Sequence, residues 1–385
     1  MKNYFSSSFK LGVLGGGQLG KMLLTETHKF DIYTVVLDPN SDAPCAQICN
    51  EFHQGSLLDF NTVYNFGKQV DLLTIEIENI NIDALDKLEK EGLPIFPKPK
   101  NLRIIQNKAL QKIFYKNQGI PTANFDRFNS IKELEKDIKK GKINFPFVWK
   151  SARFGYDGKG VKIIKSINDL KNLPSGECIG EKLISFKNEL AVIVARNKKG
   201  EIKTYPVVEM EFHPEANQVE YVICPARIDD EIANKARKVA LDVANAFDFV
   251  GLLAVEMFQT KDDNILVNEV APRTHNSGHY SIEASYTSQF EQHIRSILNL
   301  PLGKTTSKAA GIMVNLVGAE GYSGNVVYEN LEEVLKIEGV TPHLYGKKQT
   351  RPFRKMGHVT IVNPDIKKAR EIAQKVKETI KVIAK

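Results

Sequence analysis

The strongest constraint on this chain is a short strand that runs straight into a glycine turn. Leu11-Gly12-Val13-Leu14 is an apolar strand, Gly15-Gly16-Gly17-Gln18-Leu19-Gly20 follows it, and residues 19–28 read as a helix. The next stretches keep the same rhythm. Residues 32–37 form a β-branched strand closed by Asp38-Pro39, residues 70–75 a third strand, and residues 82–91 a helix. Strands alternating with helices imply a parallel sheet with crossover helices. A Rossmann-like parallel-sheet domain is therefore expected over residues 1–100, where Pro94, Pro97 and Pro99 break the pattern.

The glycine turn matches G-x-G-x-x-G between a strand and a helix, with Asp38 at the end of the second strand. In dinucleotide-binding proteins such a turn offers backbone N–H groups and a helix N-terminus to a pyrophosphate. The same turn also serves wherever a helix packs close to a parallel sheet. A dinucleotide, another anion or no ligand all stay open at this point, and an NAD-dependent oxidoreductase is the rival function.

Beyond residue 100 the texture changes. A helix is expected over residues 102–118, stopped by Gly119 and Pro121. Strands at 147–150, 161–165, 189–195 and 204–208 are joined by glycine-rich and charged loops and read as mostly antiparallel sheet, interrupted by a helix over 229–247. Pro301-Leu302-Gly303 marks a second boundary. The last piece has strands at 310–317 and 358–362 and a final helix from 365 to the end, with Ile366, Ala369, Ile372, Ala373, Val376 and Ile380 facing inward. The fold class is thus α/β with α+β, in three parts: 1–100, 101–300 and 301–385.

The formal net charge of +7 invites a nucleic-acid reading, but the excess is local. Residues 301–385 hold 15 Lys+Arg against 8 Asp+Glu, and residues 1–300 hold 38 of each. Within the basic part, Lys347, Lys348, Arg351, Arg354 and Lys355 form a compact cluster that suits one sugar-phosphate better than a polymer. No apolar run approaches the roughly 20 residues of a membrane span. The N-terminus lacks the apolar core of a signal peptide. Cys45 and Cys49 have no matching downstream pair, so reduced thiols of a cytoplasmic protein are expected rather than a zinc site. His275 and His279 are four apart, but the Asn-Ser-Gly between them argues for a loop rather than a helical metal pair.

Two further features carry chemistry. Lys150 ends a strand and opens a loop that contains Gly155, Tyr156, Asp157, Gly158, Lys159, Gly160 and Val161. Closely spaced glycines free the backbone N–H groups to face phosphate oxygens, and Lys150 is placed to reach the same phosphates. A plain hairpin turn with solvated charges is the alternative. The second feature is a hairpin expected from residues 250–259 and 265–270, with its turn between Asp262 and Asp263. That centre puts Glu256 directly opposite Glu269, with Cβ atoms about 4.5–5.5 Å apart. Like charges at that spacing need compensation, which a hard divalent cation such as Mg²⁺ supplies. Protonation of one carboxyl, or a slipped register, would also relieve it. Together with Glu181, Lys182, Leu183 and Ile184, a strand end suited to an adenine edge, these elements outline an ATP site.

Those residues resemble the ATP-grasp superfamily. Gly15-Gly16-Gly17-Gln18-Leu19-Gly20-Lys21-Met22, Thr74-Ile75-Glu76-Ile77-Glu78-Asn79-Ile80 and Asn268-Glu269-Val270-Ala271-Pro272-Arg273-Thr274-His275-Asn276-Ser277-Gly278-His279 resemble, more narrowly, the N5-carboxyaminoimidazole ribonucleotide synthase family of purine synthesis. The resemblance covers nearly the whole chain. It implies a pre-ATP-grasp domain, an ATP-grasp domain with a mobile lid at about 120–185, and a C-terminal domain completing the substrate site.

The implied reaction takes ATP, bicarbonate and 5-aminoimidazole ribonucleotide to the N5-carbamate, ADP and phosphate through carboxyphosphate. By resemblance, ATP contacts fall on Lys108, Lys150, residues 155–161, Glu181, Lys182, Leu183, Ile184, Glu189 and Asn268. Mg²⁺, in two ions, falls on Glu256 and Glu269. Gln18, Leu19 and Glu76 fall near the aminoimidazole or ribose. Arg273, His275 and Asn276 would face bicarbonate and substrate, and Arg351, Arg354 and Lys355 would hold the 5′-phosphate. Lys108 stands where the family often has arginine, and Phe154 and Val161 where glycine and glutamine are commoner. The family's histidine after the Tyr205-Pro206-Val207 strand falls nearest Phe212 or His213. The resemblance further implies a homodimer, and neither NAD, zinc, biotin, nucleic acid nor membrane as a partner.

Overall fold

The computed structural model describes residues 3–153, 160–214 and 218–385. The N-terminal part is a parallel sheet in the order Glu51–Gln54, Tyr33–Asp38, Lys10–Leu14, Leu72–Ile75. Val13 pairs with Val36 on one side and Thr74 on the other. All four residues of Leu72–Ile75 are buried, as expected for a parallel strand covered on both faces. Helices Gln18–Lys29, Phe60–Gly67 and Ile82–Lys90 make the crossovers.

The second sheet is antiparallel and much larger. Its order is Ile265–Ala271, Gly251–Thr260, Phe186–Arg196, Val208–Phe212, Val219–Cys224, Ala310–Val317, Lys355–Asn363, Val340–Leu344, with Ile202–Thr204 attached to Phe186–Arg196. Val219–Cys224 bonds directly to Ala310–Val317, so the sheet runs unbroken past Pro301 into the last part of the chain. Helix Asp230–Ala246 covers one region through Ile232, Ala236, Ala240 and Val243, and helix Ile366–Thr379 covers another through Ala369, Ala373 and Val376. A separate four-stranded sheet, Phe125–Phe128, Cys178–Lys182, Phe147–Ser151, Val161–Ile164, carries Lys150 and Glu181.

Some elements differ from expectation. The helix expected over 102–118 is two, Pro99–Ile105 and Lys108–Asn117. Asn107 separates them because its side chain accepts from Ala109 N at 2.9 Å and Leu110 N at 3.1 Å, capping the second helix. The strand expected over 204–208 is two, Ile202–Thr204 and Val208–Phe212. The last helix ends at Thr379, and Lys381–Ala384 forms a strand on Gly324–Glu329, with Val382 and Ile383 buried. No helix among the described residues is long and apolar enough to cross a membrane. The four cysteines are free thiols.

Candidate active site

At the first glycine turn the helix N-terminus already has anions. Gly16 N donates to Asp38 Oδ2 at 2.7 Å, Gly17 N to Glu76 Oε1 at 3.0 Å, and Gly20 N to Glu76 Oε2 at 3.1 Å. The glycines serve this close approach. A Cβ on Gly17 would lie 2.7 Å from Glu76 Oε1, and one on Gly20 would lie 2.8 Å from Cys45 Sγ. The amides that a pyrophosphate would need thus bind the chain's own carboxylates, and the dinucleotide reading loses its donors. Burial pushes the Glu76 carboxyl above the usual range despite the two amides. Gln18 and Leu19 open the helix beside it.

The hairpin brings the expected carboxylates together. Glu256 pairs with Glu269 across the strands. Nearer the turn, Met257 pairs with Val267, so Asn268 is an extra residue in a β-bulge. Lys108 forms an ion pair with Glu269. His275 Nε2 lies 3.2 Å from Glu256 Oε1. Lys108 therefore relieves the charge of Glu269, and the His275 ring lies against Glu256. Lys108 holds the Glu269 carboxyl well below the usual range against the effect of burial. Glu189 is near both: burial first, then the charge of Glu256, pushes its carboxyl up to about 8.

Lys150 is nearly buried, with its ammonium 2.9 Å from Glu181 Oε2 and 2.8 Å from Asn268 Oδ1. The Glu181 side chain therefore turns into a lysine cluster. Although burial opposes its charge, Lys150 and Lys112 hold its carboxyl below the usual range. Lys182 donates its backbone N–H to Asn124 O at 2.8 Å and is exposed, while Leu183 and Ile184 are half-buried just beyond the strand end. Of the loop, Gly160 has φ +78°, and its carbonyl accepts from Ser151 N at 2.8 Å; Val161 pairs with Lys150. Phe154, Gly155, Tyr156, Asp157, Gly158 and Lys159 lie outside the described residues.

The segment after the hairpin is fixed by Gln289. Its Oε1 accepts from His275 N at 2.8 Å, and its Nε2 donates to His275 O at 2.8 Å and meets His279 Nδ1 at 2.9 Å. His279 is buried in this loop, stacked against Phe290. Asn276 and Asn315 exchange amide hydrogen bonds at 3.0 and 2.9 Å. Arg273 Nε lies 2.9 Å from Glu78 Oε1, which ties this segment to the end of the parallel sheet that bears Glu76.

The basic cluster closes the other side. Arg354 Nη1 donates to Gln349 O at 2.6 Å, Arg351 is exposed, and Lys355 is half-buried. Burial and the charge of Arg351 lower the Arg354 guanidinium below its ordinary value. Gly318 N donates to Arg354 O at 2.9 Å, and a Cβ there would stand 2.2 Å from Arg351 O. Lys348 pairs with Asp42, and Lys21 donates to Leu344 O at 3.1 Å, so the cluster is docked on the loop edge of the parallel sheet. His213 stacks edge-on to Phe353 with centroids 5.7 Å apart. A cavity of about 300 Å³ lies elsewhere, where Lys98 and Arg196 both pair with Asp248.

Sequence reasoning missed Lys112, Glu78, Gln289 and Asn315. Lys112 had a signal: it lies four residues after Lys108 on one helix, hence on the same face. Glu78 stands in a segment singled out for Glu76. Gln289 and Asn315 act over distances that no local pattern marks.

Three family models match the chain. A ribonucleotide synthetase preATP-grasp domain covers residues 9–106, an ATP-grasp domain 113–290, and a phosphoribosylaminoimidazole carboxylase C-terminal domain 311–372. The N5-carboxyaminoimidazole ribonucleotide synthase of Bacillus subtilis is 38% identical over 95% of this chain and 94% of its own length. The crystal structure of N5-carboxyaminoimidazole ribonucleotide synthetase from Thermotoga maritima superposes with a TM-score of 0.88 at 46% identity, covering 98% of this chain and all of that one. The Aspergillus clavatus N5-carboxyaminoimidazole synthase, solved with ADP and 5-aminoimidazole ribonucleotide, gives 0.87 at 35% identity over 97% and 98% of the two chains.

Proposed function

The chain belongs to the N5-carboxyaminoimidazole ribonucleotide synthase family of ATP-grasp ligases, and from that premise we propose that it carboxylates 5-aminoimidazole ribonucleotide with bicarbonate at the expense of ATP. The observation that supports this best is the continuity of the polar side chains. Lys150 meets Asn268, its neighbour Glu269 pairs with Lys108, and Glu256 meets His275. Two residues before His275, Arg273 pairs with Glu78 beside Glu76. This continuity supports a reading in which the nucleotide and the substrate bind at two ends of one site.

In this reading Lys108, Lys150 and the loop 155–161 bind the phosphates, and Glu189 the ribose hydroxyls. Leu183 and Ile184 face the base. Arg273, His275 and Asn276 orient bicarbonate and the attacking amine, and Gln289 keeps the His275 backbone in place. Gln18, Leu19 and Glu76 receive the aminoimidazole end, while Arg351, Arg354 and Lys355 take the 5′-phosphate, a geometry that guanidinium forks suit. Phosphoryl transfer to bicarbonate needs positioning and charge neutralisation more than covalent help. The carboxyphosphate so formed must be kept from water, which is the task assigned to the loop 155–161 as a lid.

Glu256 and Glu269 fit Mg²⁺: they are hard oxygen donors directly opposite each other, Glu269 beside Lys108 and Glu256 beside the His275 ring. When bound, the metal would neutralise phosphate charge during transfer. Two ions, a homodimer, a cytoplasmic location and a three-part division at about 100 and 300 belong to the same proposal. The test is an ADP-release assay. We expect turnover that requires both bicarbonate and 5-aminoimidazole ribonucleotide. ATP hydrolysis indifferent to the ribonucleotide, or stimulated by biotin or by formate with glycinamide ribonucleotide, would overturn the reading.

A further inference from the structure

Lys112 lies one helical turn beyond Lys108, yet it is 2% exposed. Three oxygens surround its ammonium, two as hydrogen-bond acceptors and one as an ion-pair partner. Thr122 Oγ1 lies at 2.7 Å, Glu181 Oε1 at 3.2 Å and the Val267 carbonyl at 3.5 Å. Glu181, itself 3% exposed, gives its other oxygen to Lys150, which is 7% exposed. A buried carboxylate thus sits between two lysines, and its two oxygens are divided between them. Lys150 spends one further donor on Asn268 Oδ1.

The two lysines differ in what they can offer a ligand. Lys112 is enclosed, with Thr122, Val267 and Glu181 around its ammonium. Lys150 meets two partners among the described residues, and it stands at the strand end where the loop 155–161 begins. Charges interact strongly in a poorly solvated site. If Lys112 lost its charge, Lys150 would be the one ion-pair partner left to Glu181 among the described residues, and Glu181 would draw it closer.

We propose that Lys112 is a positioning residue for nucleotide binding: it shares the charge of Glu181, so that Lys150 stays available to the ATP phosphates. The proposal rests on the ATP site described under Proposed function, and it assigns Lys112 no contact with ligand.

The test compares wild type, Lys112→Met, Glu181→Gln and the double variant. Affinity for a non-hydrolysable ATP analogue is measured by titration calorimetry, kcat and KM for ATP by ADP release, and folding by thermal melting. We expect Lys112→Met to weaken analogue binding and raise KM for ATP about tenfold, with kcat changed less than threefold. The double variant should bind no more weakly than Glu181→Gln alone, because Lys112 acts through Glu181. Unchanged affinity in Lys112→Met, or losses that add in the double variant, would overturn the proposal. If Lys112→Met does not fold, the double variant lacks the unpaired buried carboxylate, and its comparison with Glu181→Gln decides alone: equal affinity supports, further loss refutes. A wild type that binds the analogue but shows no ribonucleotide-dependent turnover would sink the carboxylation reading and leave the calorimetry to judge Lys112. A wild type that does not bind it would sink both.

Discussion

Two strand-end clusters in this molecule gather the same groups, carboxylates near a glycine-rich turn, and hold them differently. At the first turn, Glu76 and Asp38 accept hydrogen bonds from backbone N–H groups of Gly16, Gly17 and Gly20. Those donors are fixed by the helix, so the carboxylates are locked in place. Around the hairpin, Glu269 and Glu181 pair with Lys108, Lys112 and Lys150, and Glu256 meets the His275 ring, all side chains on rotatable stems. Of these, Lys108 and Lys150 can turn toward a ligand without unmaking secondary structure, whereas Lys112 stays enclosed. A glycine turn after a strand therefore does not by itself identify a ligand site; what matters is whether the chain fills the turn with its own anion.

The largest expected effect breaks the mobile side of that contrast. Glu269→Gln should lower kcat for ribonucleotide-dependent ADP release at least about a hundredfold, consistent with loss of charge stabilisation worth a few kcal/mol, while the melting temperature stays within a few degrees. Wild-type turnover in this variant would remove Glu269 from the metal site. Asp38→Ala probes the locked side. It leaves Gly16 N and Asn40 N without their acceptor, which should cost about 1.5–3 kcal/mol in urea unfolding with KM for ATP within twofold. A variant as stable as wild type but defective in ATP binding would invert the comparison.

Much of this arrangement was legible in the sequence, and the exceptions have physical reasons. The alternating N-terminal pattern gave a parallel sheet because each strand must be followed by a crossover. The placement of Glu256 opposite Glu269 came out right although the register near the turn is one residue off, since the bulge at Asn268 restores the pairing at the glutamates. The break at Asn107 was hidden because helical spacing resumes within two residues, and only the cap reveals it. Helical spacing also ran on past Ile380, where Val382 and Ile383 instead fill the edge of a small sheet. The capture of the Gly17 and Gly20 amides by Glu76 was not legible, because nearly sixty residues separate them.

The smallest expected effect asks whether the hairpin cluster carries charge strain that the first turn lacks. Glu189 sits beside Glu256 and Glu269, and burial followed by the charge of Glu256 lifts its carboxyl from 4.5 to about 8. Between those values the folded protein holds a proton that the unfolded chain has released. Stability should therefore fall as pH rises through the window from about 4.5 to about 8. From pH 6 to pH 8 the loss attributable to this group should be about 1–2 kcal/mol, less than the full shift implies because the site is partly solvated. Urea unfolding at the two pH values measures it, and Glu189→Gln, which keeps the shape without the titration, should flatten the slope by that amount. If the slope survives in Glu189→Gln, the strain lies in other groups, and the hairpin cluster is no more charge-strained at this residue than the turn that Glu76 closes.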